Sequence, residues 1–141
     1  MTTDTPAIMA HKKSIAYAMA GEKVKWLALF DENAVVRDPV GPSPHDPEGK
    51  GFQGISELGR FWDMMIAPQN MIAIPHTRIA CGPNTAAVTM SMANFLNGAK
   101  FYIELVAIYD VNDAGRLTSL NVYWDCNALA AQMGMLSGAG A

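Results

Sequence analysis

Residues 34–51 read AVVRDPVGPSPHDPEGKG. An apolar run, Ala34-Val35-Val36, ends in Arg37 and Asp38, and Pro39, Pro42, Pro44 and Pro47 stiffen the loop beyond. A carboxylate at the end of a short strand, at the mouth of a proline loop, is placed for partial desolvation. That raises its pKa toward working pH, which a general base needs. Asp-Pro is also an ordinary turn opener, and the local sequence leaves both readings open. Glu104 is an acid inside an apolar strand, but it shares parity with Lys100, Tyr102 and Asp110, so solvent or a dimer interface is its expected surrounding. His11, His45 and His76 are scattered, and Cys81 and Cys126 lie far apart without a CxxC, so no metal site is expected. His45, in the proline loop, is either a lid residue or solvated.

The chain has 141 residues, half of them apolar and 16% charged, which suits one globular domain over 1–141 with a core of its own. Ten Lys+Arg against 13 Asp+Glu give a net charge of −3, and no basic cluster exceeds Lys12-Lys13. Nucleic acid and acidic membrane surfaces are therefore not expected partners. The first residues lack the basic-then-apolar order of a signal peptide, and no apolar run is long enough to span a bilayer. A cytoplasmic protein with two free, buried thiols is the expectation. The 10 methionines suit an adaptable apolar cavity and an ordinary core equally.

The elements that position these residues emerge from periodicity. Residues 1–6 and 134–141 read as loose ends. From Pro6, Ile8, Ile15 and Met19 recur at helical spacing until Gly21. EKVKWLALF (22–30) reads as a second helix with Val24, Leu27 and Ala28 on one side, and AVVRD (34–38) as a short strand. GISELGRFWDMMI (54–66) is a third helix with a broad stripe of Ile55, Leu58, Phe61, Trp62, Met65 and Ile66. After Pro68 come four long strands, 71–82, 85–98, 99–112 and 116–127, separated by Gly82-Pro83, Asn97-Gly98 and the Asn112–Gly115 turn. Helices followed by a meander predict an α+β fold, with three N-terminal helices closing a curved antiparallel sheet over a pocket.

LFDENAVVRDPVG, GFQGISELGRFW and NDAGRLTSLNVYW together resemble the ketosteroid isomerase family, within the nuclear-transport-factor-2-like or SnoaL-like fold. The long insertion PSPHDPEGKG is similar to mycobacterial ketosteroid-isomerase-like proteins, and the resemblance covers about residues 10–127. It implies a cone of bent antiparallel strands, a homodimer, and an Asp base matched here by Asp38. It also implies cofactor-free, metal-free proton transfer on a steroid-like carbonyl compound through a dienolate, with a Tyr and a protonated Asp holding the oxyanion.

The sequence departs from that pattern at the oxyanion hole. The family Asp falls at Ala107, the family Tyr at Ser14, and two supporting tyrosines at Phe30 and Trp62. One preorganised donor is typically worth ~10²–10³ in rate, so substitutes must be found. Tyr17, one helical turn beyond Ser14, is the first candidate phenol and is read as catalytic beside Asp38. If Ala107 faces the pocket, alternation brings Ile103, Leu105 and Tyr109 with it; on the preceding strand the resemblance puts Val88, Met90, Met92 and Asn94 on the matching family face. Trp124 matches a pocket tryptophan of the family, and Trp62 has an indole N–H to offer. The expected substrate contacts are thus Trp62, Met90, Asn94, Ala107, Tyr109 and Trp124. Rival readings are a cyclase, dehydratase or lyase built on the same base, and a non-catalytic binding protein.

Overall fold

A computed structural model describes residues 4–96 and 98–136. Helix α1 (Pro6–Ala20) starts where Thr5 accepts a bond from the Ile8 N–H and Pro6 presets the first turn. It stops at Gly21, which takes the left-handed conformation (φ 71°) and returns its N–H to the last turn. The buried face is Ala7, Ile8, Ala10, His11 and Ser14, whereas Met19, expected on the stripe, is exposed. Helix α2 (Lys23–Leu27) is shorter than expected and turns Trp26 inward, leaving Val24 in solvent. The shortening has a cause: strand β1 (Phe30–Arg37) already begins at Phe30, and the Leu29 carbonyl accepts from the Leu117 N–H.

A two-residue strand β2 (Phe52–Gln53) pairs with β1 and leads into α3 (Gly54–Phe61), which continues as a π-turn over Trp62–Ile66. The expected apolar stripe is buried at Leu58, Phe61, Trp62 and Ile66, with Ile55 exposed at its end. Strands β3 (Asn70–Cys81), β4 (Thr85–Leu96), β5 (Ala99–Val111) and β6 (Leu117–Tyr123) form the expected meander. Asn97, in the expected hairpin turn, lies outside the described residues, as do 1–3 and 137–141 of the expected loose ends. The β4–β5 register ends with Leu96 opposite Ala99.

The six strands make one curved, unclosed sheet in the order β2-β1-β6-β5-β4-β3. It is mixed rather than antiparallel, because β1 pairs with β6 in parallel. The chain enters β1 from the helices, not through a hairpin, so nothing forces antiparallel pairing there.

A fourth helix, α4 (Cys126–Leu136), replaces the end of the last expected strand and the start of the expected loose tail. Asp125 opens it by accepting from the Asn127 and Ala128 N–H groups. Gln132 then bonds both the N–H and the carbonyl of Tyr102, on the stretch of β5 that β6 does not reach. The helices cover the concave face, where Trp26, Phe30, Leu58, Val88, Ala107 and Leu117 form the middle of the core. Cys81 is exposed and Cys126 only half-buried, against the expectation of two buried thiols, since β3 is an edge strand and Cys126 opens a surface helix. Among the described residues no helix is long and apolar enough to cross a membrane.

Candidate active site

Asp38 stands one residue beyond β1, held from both sides. Before it, Arg37 pairs with Asn121 of β6; after it, the Val40 N–H donates to the Val122 carbonyl at 2.8 Å. The proline loop folds about Asp46, whose carboxylate accepts from the Lys50 and Gly51 N–H groups, while Ser43 and Asp46 exchange backbone bonds. Gly51 closes this loop against β1. Its φ is +83°, and a Cβ there would lie 2.8 Å from Arg37 Cγ and 3.0 Å from the Val36 carbonyl oxygen, so only glycine fits.

The carboxylate so placed lines a cavity of about 380 Å³ between the helices and the concave sheet. Met64, Met65, Met90, Leu105, Phe101 and Leu120 supply much of its apolar wall, with Leu129 and Met133 of α4 on one side. The Trp124 indole N–H donates to Asp38 Oδ1 at 2.6 Å, and no described residue bonds Oδ2. Burial pushes the Asp38 pKa up to about 6, and the Trp124 hydrogen bond opposes part of that rise. A carboxylate that titrates near 6 is still ionised at neutral pH, yet basic enough to take a proton from carbon.

Tyr109 is the phenol that shares this cavity. It is buried on β5, two residues from Ala107, with the Ser14 hydroxyl of α1 beside it. Burial drives its pKa up to about 12, Ser14 pulls it back, and the Asp38 charge adds to the rise, so the group is a neutral donor at any working pH. Behind it the His11 ring packs edge-on, 4.8 Å between centroids. His11 is fully buried with neither ring nitrogen hydrogen-bonded among the described residues, and burial first, then the Arg78 and Lys12 charges, lowers its pKa to about 4. It is therefore a neutral imidazole supporting the phenol by packing.

Of the residues expected from the sequence, Asp38, Met90, Asn94, Tyr109 and Trp124 come together around the cavity. Three do not. Tyr17 is half-buried beneath the Lys25 ammonium, because a three-residue step turns it about 60° from Ser14 and Ser14, Ile15 and Ala18 already occupy the cavity face. Trp62 packs its ring on Trp26, 5.4 Å between centroids, within the core. Ala107 has the expected facing, but its methyl ends in the core between the longer Leu105 and Tyr109 side chains. Glu104 is exposed as expected, bonded to Ser91, which also meets His76. His45 lies at the cavity rim, exposed to solvent. The α4 residues were missed, although Asp125 ahead of an Ala- and Leu-rich run is a readable helix start. Among the described residues no three His, Cys, Asp or Glu side chains gather in a way that could hold a metal ion.

A model of the SnoaL-like domain matches residues 14–120, from the serine beside Tyr109 to the strand that positions Asp38. The chain belongs to the SnoaL-like domain family. No curated protein matches it. Among solved structures, this SnoaL-like chain is similar to RV0760c from Mycobacterium tuberculosis (29% identity, 91% of this chain and 97% of the other, TM-score 0.86). The same protein in complex with estradiol-17beta-hemisuccinate aligns at 28% identity, over 89% and 98% of the two chains, with a TM-score of 0.83. A Delta 5-3-ketosteroid isomerase from Mycobacterium sp. aligns at 29% identity, over 88% and 96%, also with a TM-score of 0.83. The α+β fold of the ketosteroid isomerase and SnoaL-like proteins is thus the fold of this chain.

Proposed function

We propose that this SnoaL-like protein is a cofactor-free proton-transfer enzyme acting on a flat, apolar, carbonyl-bearing substrate of steroid-like size. The observation that carries the reading is the Asp38 carboxylate: desolvated, fixed by Trp124, and open at Oδ2 to an apolar cavity. Asp38 takes a proton alpha to the carbonyl, or from the vinylogous carbon of an enone. The C–H electron pair moves into the carbon framework and the charge reaches the carbonyl oxygen. Asp38, now protonated, returns the proton to a different carbon, so the double bond moves and nothing is oxidised or reduced. Tyr109, with Ser14 beside it, donates to the oxyanion. The phenol thus comes from β5 in place of the helix tyrosine that the resemblance implied, and Ser14, being small, leaves room for it.

An ultraviolet assay with a Δ5-3-keto steroid tests this. Conjugated enone is expected with wild type, none with Asp38→Asn, and a rate lowered ~10²–10³-fold with Tyr109→Phe, the cost of losing one oxyanion donor. Turnover unchanged in Asp38→Asn would sink the base assignment. One feature favours a second reading, a non-catalytic ligand binder. Ala107 offers no acid, and Tyr109 alone is a weak donor. Steroid binding that is equal in wild type and Asp38→Asn, with no turnover in either, selects it.

The outer sheet face supports a homodimer. Ile72 and Tyr102 flank Ala93 in one cross-strand row, and Val106 and Tyr123 are neighbours in another; all four are more than 40% exposed. The Ser91–Glu104 pair lies between the two rows, and exposed apolar side chains grouped around it suit an interaction surface.

A further inference from the structure

Asn94 is a buried amide with an unmet need. It lies on β4, only 1% exposed, and lines the cavity, yet its Nδ2 has no hydrogen-bond partner among the described residues. A buried donor left unpaired costs about 1–3 kcal/mol, so the Nδ2 of an amide here, in a row of Val88, Met90 and Met92, adds no stability through the described residues. A leucine would fill the same space without that cost.

Its place in the fold separates it from the proton-transfer site. Asn94 pairs with Phe101 on β5 and Met71 on β3. Asp38 follows Arg37, which faces Asn121 on β6, and Asn121 in turn faces Ile108 on β5. Asp38, one residue beyond Arg37, stands level with Val122 and Ala107, so the two levels differ by about six residues along β5, roughly 20 Å of strand path before curvature shortens it. They also stand on opposite sides of the β6–β5 pair. Met71 and Phe101, the lateral neighbours of Asn94, line the cavity as well and offer it no polar group.

We infer that Asn94 is a second, distal anchor, and that the ligand carries a hydrogen-bond-accepting oxygen at the end remote from its reacting carbonyl. This rests on the carbonyl-ligand reading above and narrows it to a bifunctional compound: an apolar polycycle with an oxygen at each end. Nδ2 donates to the distal oxygen, and ligand binding, rather than folding, satisfies the amide. A compound lacking that oxygen leaves Nδ2 unpaired in the complex, so the site selects against it, as buried polar groups generally do.

The test compares two Δ4-3-keto steroids, one with a ketone on the D ring and one without, binding to wild type and to Asn94→Leu by calorimetry. Nitrogen-15-labelled wild type reports on the Asn94 side-chain amide by NMR. Wild type is expected to bind the diketone about ten-fold more tightly, and Asn94→Leu to bring the ratio close to one. The Asn94 amide resonance is expected to move with the diketone and much less with its deoxy counterpart. Equal affinities in wild type, a preference that survives in Asn94→Leu, or an amide indifferent to the D-ring ketone overturns the anchor. The two wild-type measurements decide the matter even if the variant does not fold. A diketone preference without turnover leaves the anchor standing and removes the catalytic reading. Asp38-dependent turnover without the preference does the reverse, and binding of neither steroid overturns both.

Discussion

At the scale of single residues, two titrating groups govern how this protein responds to pH, in opposite senses. Asp38 has a folded pKa of about 6, above the ordinary 3.8. As a base it must be ionised, so kcat/KM should rise with pH and level off above an inflection near 6. Trp124→Phe removes the hydrogen bond that holds the pKa down. Its inflection should move to higher pH, with activity lost more at pH 6 than at pH 8; an unmoved inflection would disprove the Trp124 role. Because the folded state holds the Asp38 proton more tightly than the unfolded chain does, stability falls as pH rises from about 4 to about 6. The loss is on the order of 3 kcal/mol. Asp38→Asn should therefore stabilise the fold at pH 7 by up to that amount, with the gain gone below pH 4. His11 works the other way: its pKa is lowered to about 4 from 6.5, so its stabilising contribution is lost as pH falls through that interval. In Asp38→Asn the His11 limb should stand alone, giving a steeper acid loss between pH 6 and 4 in urea titrations.

At the scale of elements, the proline loop is what makes Asp38 a fixed group rather than a mobile one. Its closure depends on Gly51, where any side chain meets both a forbidden φ and the β1 backbone. Gly51→Ala should cost about 2 kcal/mol or more in denaturation experiments and weaken catalysis by releasing Asp38. A Tm within a degree of wild type would contradict the close approach. The loop was legible as a loop from its four prolines, and its end beside Asp38 was legible too. The Asp46 hub and the Gly51 contact were not, because both depend on β2 lying against β1. Helix α4 shows the converse case. Its N-terminal signal at Asp125 is local and readable, but the apolar strand pattern before it masked the change of period.

At the scale of the whole molecule, the outer sheet face carries exposed apolar side chains that no described residue covers. Val106→Lys places a charge in the middle of the Val106–Tyr123 row. It should convert a dimer to monomer in sedimentation experiments while leaving the monomer folded, since Val106 is 42% exposed. A wild-type protein that sediments as a monomer would refute the dimer outright. The same scale explains the one error in sheet topology. Each strand of the meander was readable from alternation and turn residues, but the pairing of β1 depends on where the helices deliver it, and that is a property of the packed whole.

Local sequence thus determined the elements made by local forces: the capped first helix, the hairpin meander, the stripe on α3, and an acid at a strand end. Alternation, with the facing taken from the family resemblance, aligned Met90, Asn94 and Tyr109 on one face of the sheet, because a pleated strand sends every second side chain the same way. Only the tertiary structure decided which phenol reaches the cavity. The sequence placed Tyr17 ahead of Tyr109 as the catalytic phenol, but a rotation of about 60° on α1 turns the first toward Lys25, and the sheet register points the second at Ser14. Nor does any local pattern give Asp38 a pKa near 6. That comes from burial in the packed structure, opposed in part by the hydrogen bond from an indole 86 residues away in the chain.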